Sequence, residues 1–115
     1  MDRRLHERLT LDLEARVTDL NDTGPQRDGR LTDVSRSGVC VTLSDRFKAG
    51  DLVRVDFMEG RLLGQVIYTA VEGSGFRTGI EVFDILLGNS DLSRLIQQTL
   101  EVSRPADAPC IRSVL

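Results

Sequence analysis

Two clusters of side chains in this chain have the chemistry of a binding site. The first is Arg3, Arg4 and Arg8 near the amino terminus, with Arg4 and Arg8 spaced Arg-x-x-x-Arg. The second is Asp33, Ser35 and Gly38, spaced Asp-x-Ser-x-x-Gly within Asp33-Val34-Ser35-Arg36-Ser37-Gly38. Arginine offers a planar, permanently charged fork of donors. A carboxylate accepts N–H groups with charge-assisted strength. Glycine takes positive φ, or lets another chain or a ligand come close to the backbone. Together these make a polar lip suited to recognition. Catalysis asks for a nucleophile beside a base, and none is paired here. His6 is the only histidine, and no Cys or carboxylate cluster has ligand spacing around it, so no metal or cofactor is expected. Gly73-Ser74-Gly75 is too short for a phosphate loop and lacks the lysine that should follow.

The elements that must position these clusters are strands. Leu9, Leu11, Leu13, Ala15 and Val17 alternate with polar residues, the clearest period-two run in the chain. A polar turn region follows, Asn21 to Gly29, and then a strand over Arg30 to Thr32 that leads into the second cluster. Val39, Val41 and Leu43 form one face of the next strand, with Cys40 and Thr42 on the other. Leu52 to Phe57 alternates again, with Arg54 and Asp56 outward. Glu59-Gly60 and Glu72 to Gly75 read as hairpin turns. Gln65 to Val71 is apolar at most positions and is expected to be covered on both faces. Phe76 to Phe83 is the last strand. The ending changes period: Leu92, Leu95, Ile96, Thr99 and Leu100 share a helical face. Ser90 is its N-cap and Pro105 a stop, giving a helix from about Asp91 to Ser103 across the barrel. The fold class expected is mainly all-β, a small six-stranded antiparallel barrel with a C-terminal α-helix. If the first two strands are antiparallel neighbours, the start of one lies beside the end of the other. The two polar clusters then meet on one rim.

The totals agree with a small binding domain. The chain has 115 residues, 40% hydrophobic and 29% charged, enough for one modest core. A net charge of −3 gives no global attraction to nucleic acid or anionic membrane. Aromatics at 4% leave little for base-stacking platforms, so no DNA or RNA partner is expected. No apolar run approaches the roughly 20 residues of a membrane helix, and the start lacks a signal peptide's apolar segment. A cytoplasmic location is expected. Cys40 reads as a small core residue and Cys110 as a free thiol of the tail.

With both spaced motifs and the strand pattern in hand, the sequence resembles the PilZ family of cyclic di-GMP receptors. Arg4 and Arg8 match that family's Arg-x-x-x-Arg, and Asp33, Ser35 and Gly38 match its Asp/Asn-x-Ser-x-x-Gly. Gly79-Ile80-Glu81-Val82-Phe83 and the closing helix look like the family's barrel end. The resemblance covers about residues 3 to 103. It implies residues 1–8 as a flexible arginine-rich arm and 9–103 as the barrel with its helix; residues 104–115, outside the resemblance, read as a loose tail. It further implies that Arg4 and Arg8 bind guanine edges or phosphates, and that Asp33 takes guanine N–H groups. Ser35 would bond phosphate or base, and Gly38 would admit the backbone's close approach. Arg3 precedes the motif and points to an intercalated cyclic di-GMP dimer. The ordered arm would then be read by an unidentified protein effector. A ligand-independent adaptor is the alternative. Arg36 occupies a variable motif position and is read as solvent-facing. Arg77 could reach the ligand but is read as surface charge.

Overall fold

The computed structural model describes residues 8–21 and 26–100. Six strands are built in chain order: β1 (Arg8–Asp19), β2 (Arg27–Ser35), β3 (Gly38–Leu43), β4 (Leu52–Phe57), β5 (Gly60–Glu72) and β6 (Gly75–Leu87). One helix, α1 (Asp91–Thr99), follows. The strands close into an antiparallel barrel ordered β1-β2-β3-β6-β5-β4. Alternation explains the inner face: Ala15, Val17, Val39, Val41, Val53 and Val55 are all buried. Phe47, from the loop after β3, fills one end of the barrel; Thr69 Oγ1 donates to its carbonyl at 2.9 Å. At the opposite end lie Ile96 and Leu100 of the helical segment, buried in the same core cluster.

The register shifts at four places in the barrel, and two of these shifts re-phase a strand beside the rim. Between β2 and β3 the register steps from Leu31↔Val41 to Asp33↔Cys40, so Thr32 is an additional residue on β2. Leu31 and Val34, three apart, are therefore both fully buried. Between β5 and β6 it steps from Val66↔Ile80 to Tyr68↔Gly79, leaving Ile67 additional on β5. Beyond each bulge the phase is reversed. Asp33 and Tyr68, which would otherwise face inward, are turned out.

Several expectations are corrected. β5 is not covered on both faces: Ile67, Tyr68 and Val71 are exposed, because the bulge turns the strand and β4 accompanies it only as far as Gln65. β2 runs nine residues rather than three, and Arg8 belongs to β1 rather than to a separate arm. The helix ends at Thr99 with Leu100 extended at its C-cap. Leu95 leaves the apolar stripe: it is 47% exposed, whereas Ile96 is 0% exposed. The expected tail, with Cys110, lies outside the described residues.

Ser90 is the N-cap, its Oγ accepting from Ser93 N at 3.0 Å. Ser90 and Ser93 hydroxyls both donate to Glu59 Oε1 in the β4–β5 turn, the latter at 2.9 Å. Donation first from Ser90 and then from Ser93 holds the Glu59 carboxyl below the usual glutamate range. A depressed folded-state value contributes stability above the ordinary value of 4.5, lost as pH falls through the lower folded value. Melting temperature against pH should therefore drop more steeply below 4.5 in the native protein than in Glu59→Gln. Ile96→Ala should cost about 2–5 kcal/mol in urea denaturation. Leu95→Ala should stay within about 0.5 kcal/mol.

Candidate functional site

The rim at the start of β1 brings Arg8 of the first cluster beside the second. Arg8 is the Cα partner of Ser35, and Thr10 that of Asp33, so the described arginine of the first motif lies beside the second motif. Arg8 Nε donates to Asp33 Oδ1 at 3.1 Å, across 25 positions of sequence. Asp33 is 13% exposed and Arg8 60% exposed, so the carboxylate is set into the wall while the guanidinium stays largely in solvent. An ion pair this wet adds little to stability. Arg3 and Arg4 lie outside the described residues.

The turn itself is tight. Ser35 Oγ donates to Gly38 O at 3.3 Å and lies 3.4 Å from Ser37 Oγ. Arg36 is exposed, as expected. Gly38 does not have positive φ. A Cβ there would sit 2.0 Å from the Ile80 carbonyl oxygen. Of the two roles open to this glycine, close approach is the one realised, and the neighbour is strand β6.

Along the outer wall, one row of Cα partners runs Thr10, Asp33, Cys40, Gly79 and Tyr68 through β1, β2, β3, β6 and β5. Gly79 is bare so that the Tyr68 ring can lie across it; a Cβ would come 2.2 Å from Tyr68 Cε2. Tyr68 Oη lies 3.2 Å from Cys40 Sγ. Cys40 is thus a half-buried thiol of the outer wall rather than a core residue, as its parity opposite to Val39 and Val41 requires. Arg77, two positions before Gly79 on the same face, donates to Tyr68 and brings Nη2 to 3.5 Å from Asp33 Oδ2. It is 29% exposed and is part of this wall, not a free surface charge.

These residues enclose a cavity of about 350 Å³, lined among others by Arg8, Asp33, Ser35, Cys40, Tyr68 and Arg77. Hydrogen bonding to Cys40, then burial, pushes the Tyr68 phenol up, while Arg77 opposes both. The bond to Tyr68, and next the electrostatic influence of Cys40, hold Arg77 still more firmly protonated. The cavity is therefore a cationic wall with one inset carboxylate. A wider groove of about 960 Å³ crosses β2, β1 and β4. Its Arg30 is paired with Asp12 at 2.7 Å and its Arg16 with Asp28 at 3.5 Å, and none of Arg8, Asp33, Ser35 and Gly38 lines it, so it is the poorer candidate despite its size. Among the described residues no group of three or more His, Cys, Asp or Glu is placed to hold a metal ion. No described helix is long and apolar enough to cross a membrane.

Tyr68, Arg77 and Gly79 were not singled out as site residues by sequence reasoning, yet a signal existed. Counting outward from the Gly73-Ser74 turn sets Tyr68 opposite Gly79. The chain's one tyrosine facing a glycine is a recognisable cross-strand device. With one tyrosine and no tryptophan, absorbance titration reads this phenol alone. Its midpoint should lie above the ordinary 10.0 and should fall back towards it in Cys40→Ala.

Comparison with known proteins adds the following. A PilZ domain family model matches residues 2–98. No curated protein matches the chain. Among solved structures, the Bacillus subtilis inhibitor of motility MotI/DgrA is similar, with a TM-score of 0.59 and 17% sequence identity. That match covers 99% of this chain, which spans 52% of the other. At that identity the likeness is one of fold.

Proposed function

The chain belongs to the PilZ domain family, a family of cyclic di-GMP receptors, and we propose on that footing that it binds cyclic di-GMP at the β1–β2 rim. The observation that carries this is the meeting of Arg8 and Asp33, 25 positions apart, in a cavity that also holds Ser35. Cyclic di-GMP offers guanine edges and phosphates. Arg8, the most exposed member, leaves Asp33 for a phosphate or a guanine edge. Asp33 then accepts guanine N–H groups, and Ser35 bonds phosphate or base. About 350 Å³ lies at the low end of the roughly 300–1,000 Å³ usual for small-molecule sites, so it takes one half of the dinucleotide. The arm bearing Arg3 and Arg4 closes over the rest, and Arg3 stacks a second, intercalated ligand molecule. Ordering the arm costs conformational entropy, which the charge-assisted contacts must exceed. The covered rim is the surface an effector protein reads, so the domain acts as a relay and not as an enzyme.

Calorimetric titration with cyclic di-GMP should give saturable binding, with GTP as the control. Arg8→Ala and Asp33→Ala should each weaken it roughly 10- to 100-fold, the worth of a charged hydrogen bond. Two ligand molecules per protein, reduced to one in Arg3→Ala, is the expected stoichiometry. Absence of heat with folded protein would favour the ligand-independent adaptor.

A further inference from the structure

We infer that Arg77 is a specificity-determining residue of the rim, reading the guanine O6 beside the donors taken by Asp33; this rests on the cyclic di-GMP reading above. The two oxygens of Asp33 are held by different partners. Oδ1 faces Arg8 at 3.1 Å. Oδ2 receives Thr32 Oγ1 at 3.2 Å and has Arg77 Nη2 at 3.5 Å. The two arginines are not equivalent. Arg8 starts a strand and is 60% exposed; Arg77 is 29% exposed and is tied at its far side to Tyr68. A ligand competing for the carboxylate displaces the arginine with less to lose, and that is Arg8.

Once Arg8 has moved, the wall presents Oδ1, Oδ2 and the Arg77 N–H side by side. In hydrogen-bonding terms the order is acceptor, acceptor, donor. The pairing edge of guanine runs N2–H, N1–H, O6, which is donor, donor, acceptor. The match is the one cytosine makes. Adenine reverses it: the N6 amino group would meet the Arg77 donor, and the bare N1 would meet Oδ2. Both mismatches leave polar groups of the wall unpaired, the strongest route to rejecting an analogue. The bond to Tyr68 limits the freedom of the fork, so less is lost when the donor engages a ligand. Lysine could replace the charge but not the fork.

The test uses three ligands with one sugar-phosphate ring and different bases: cyclic di-GMP, cyclic GMP-AMP and cyclic di-AMP. Native protein and Arg77→Met are titrated with each by calorimetry. Native protein should rank them in that order. Arg77→Met should lose roughly 5- to 150-fold for cyclic di-GMP and little for cyclic di-AMP, collapsing the ratio. Arg8→Ala should weaken cyclic di-GMP while native preference for guanine persists. Should Arg77→Met fail to fold, Arg77→Ala carries the same test, since it too removes the donor while Arg8 and Thr32 still bond Asp33. Native protein that binds cyclic di-GMP, with a variant that keeps the native base preference, overturns the role of Arg77 alone. Native protein that does not bind cyclic di-GMP overturns the receptor reading and this inference with it.

Discussion

A strand sends alternate side chains to opposite faces, and Asp33 shares the parity of Leu31, which is fully buried. The additional residue at Thr32 cancels that parity and delivers the carboxylate to the outer wall. Without it the charge would enter an aliphatic interior with no partner, at a penalty of several kcal/mol. The bulge at Ile67 does the same for Tyr68 on the far side of the cavity. Both walls of the candidate site therefore depend on register irregularities, while the strands between them, β3 and β6, pair in step from Gly38↔Glu81 to Leu43↔Phe76. The regular part is the floor.

In the absence of ligand the wall satisfies itself. Asp33 has Arg8, Arg77 and Thr32; Tyr68 has Cys40 and Arg77. An incoming anion gains only the difference between its contacts and these, so affinity is moderated while the price of a wrong partner stays high. The arrangement also explains how a chain of net charge −3 presents a cationic recess: the acidic groups of β1 and β2, Asp12, Glu14 and Asp28, sit on the groove of the neighbouring face, paired with Arg16 and Arg30.

Much of this was legible in the sequence. Alternation from Leu9 to Val17 located β1, and the offset between the motifs brought their ends together, as Arg8↔Ser35 bears out. Barrel and closing helix followed from the count of strands and the change of period. What escaped was whatever a bulge decides. Gln65 to Val71 has the composition of a doubly covered strand, yet one face lies open because its phase changes at Ile67. Residue type marks Cys40 as core although its own parity places it outside. Arg77 looked like surface charge because its partners, Asp33 and Tyr68, lie 44 and 9 positions away and meet it only once β2 and β5 are both re-phased. Leu95 shows the same limit on the helix, where one hydrophobic residue beside the stripe was counted into it.

Ring closure also restricts how another protein can attach. Every strand has neighbours on both sides in the ring, so backbone N–H and C=O groups are largely consumed. Departures occur where one strand outruns a neighbour: Arg8 to Glu14 of β1 has β2 alone beside it, Val82 to Leu87 of β6 has β5 alone, and the distal part of β5 has β6 alone. The Val66 amide and carbonyl are taken by Asp51 and Gly50, and from Ala70 to Glu72 the strand has β6 on one side only. That run is short, whereas Arg8 to Glu14 is long enough to offer several rungs to an added strand. Strand addition along Arg8 to Glu14 would engage the same segment that carries Arg8 to the rim, so backbone pairing there and side-chain recognition at the rim are tied to one stretch of chain.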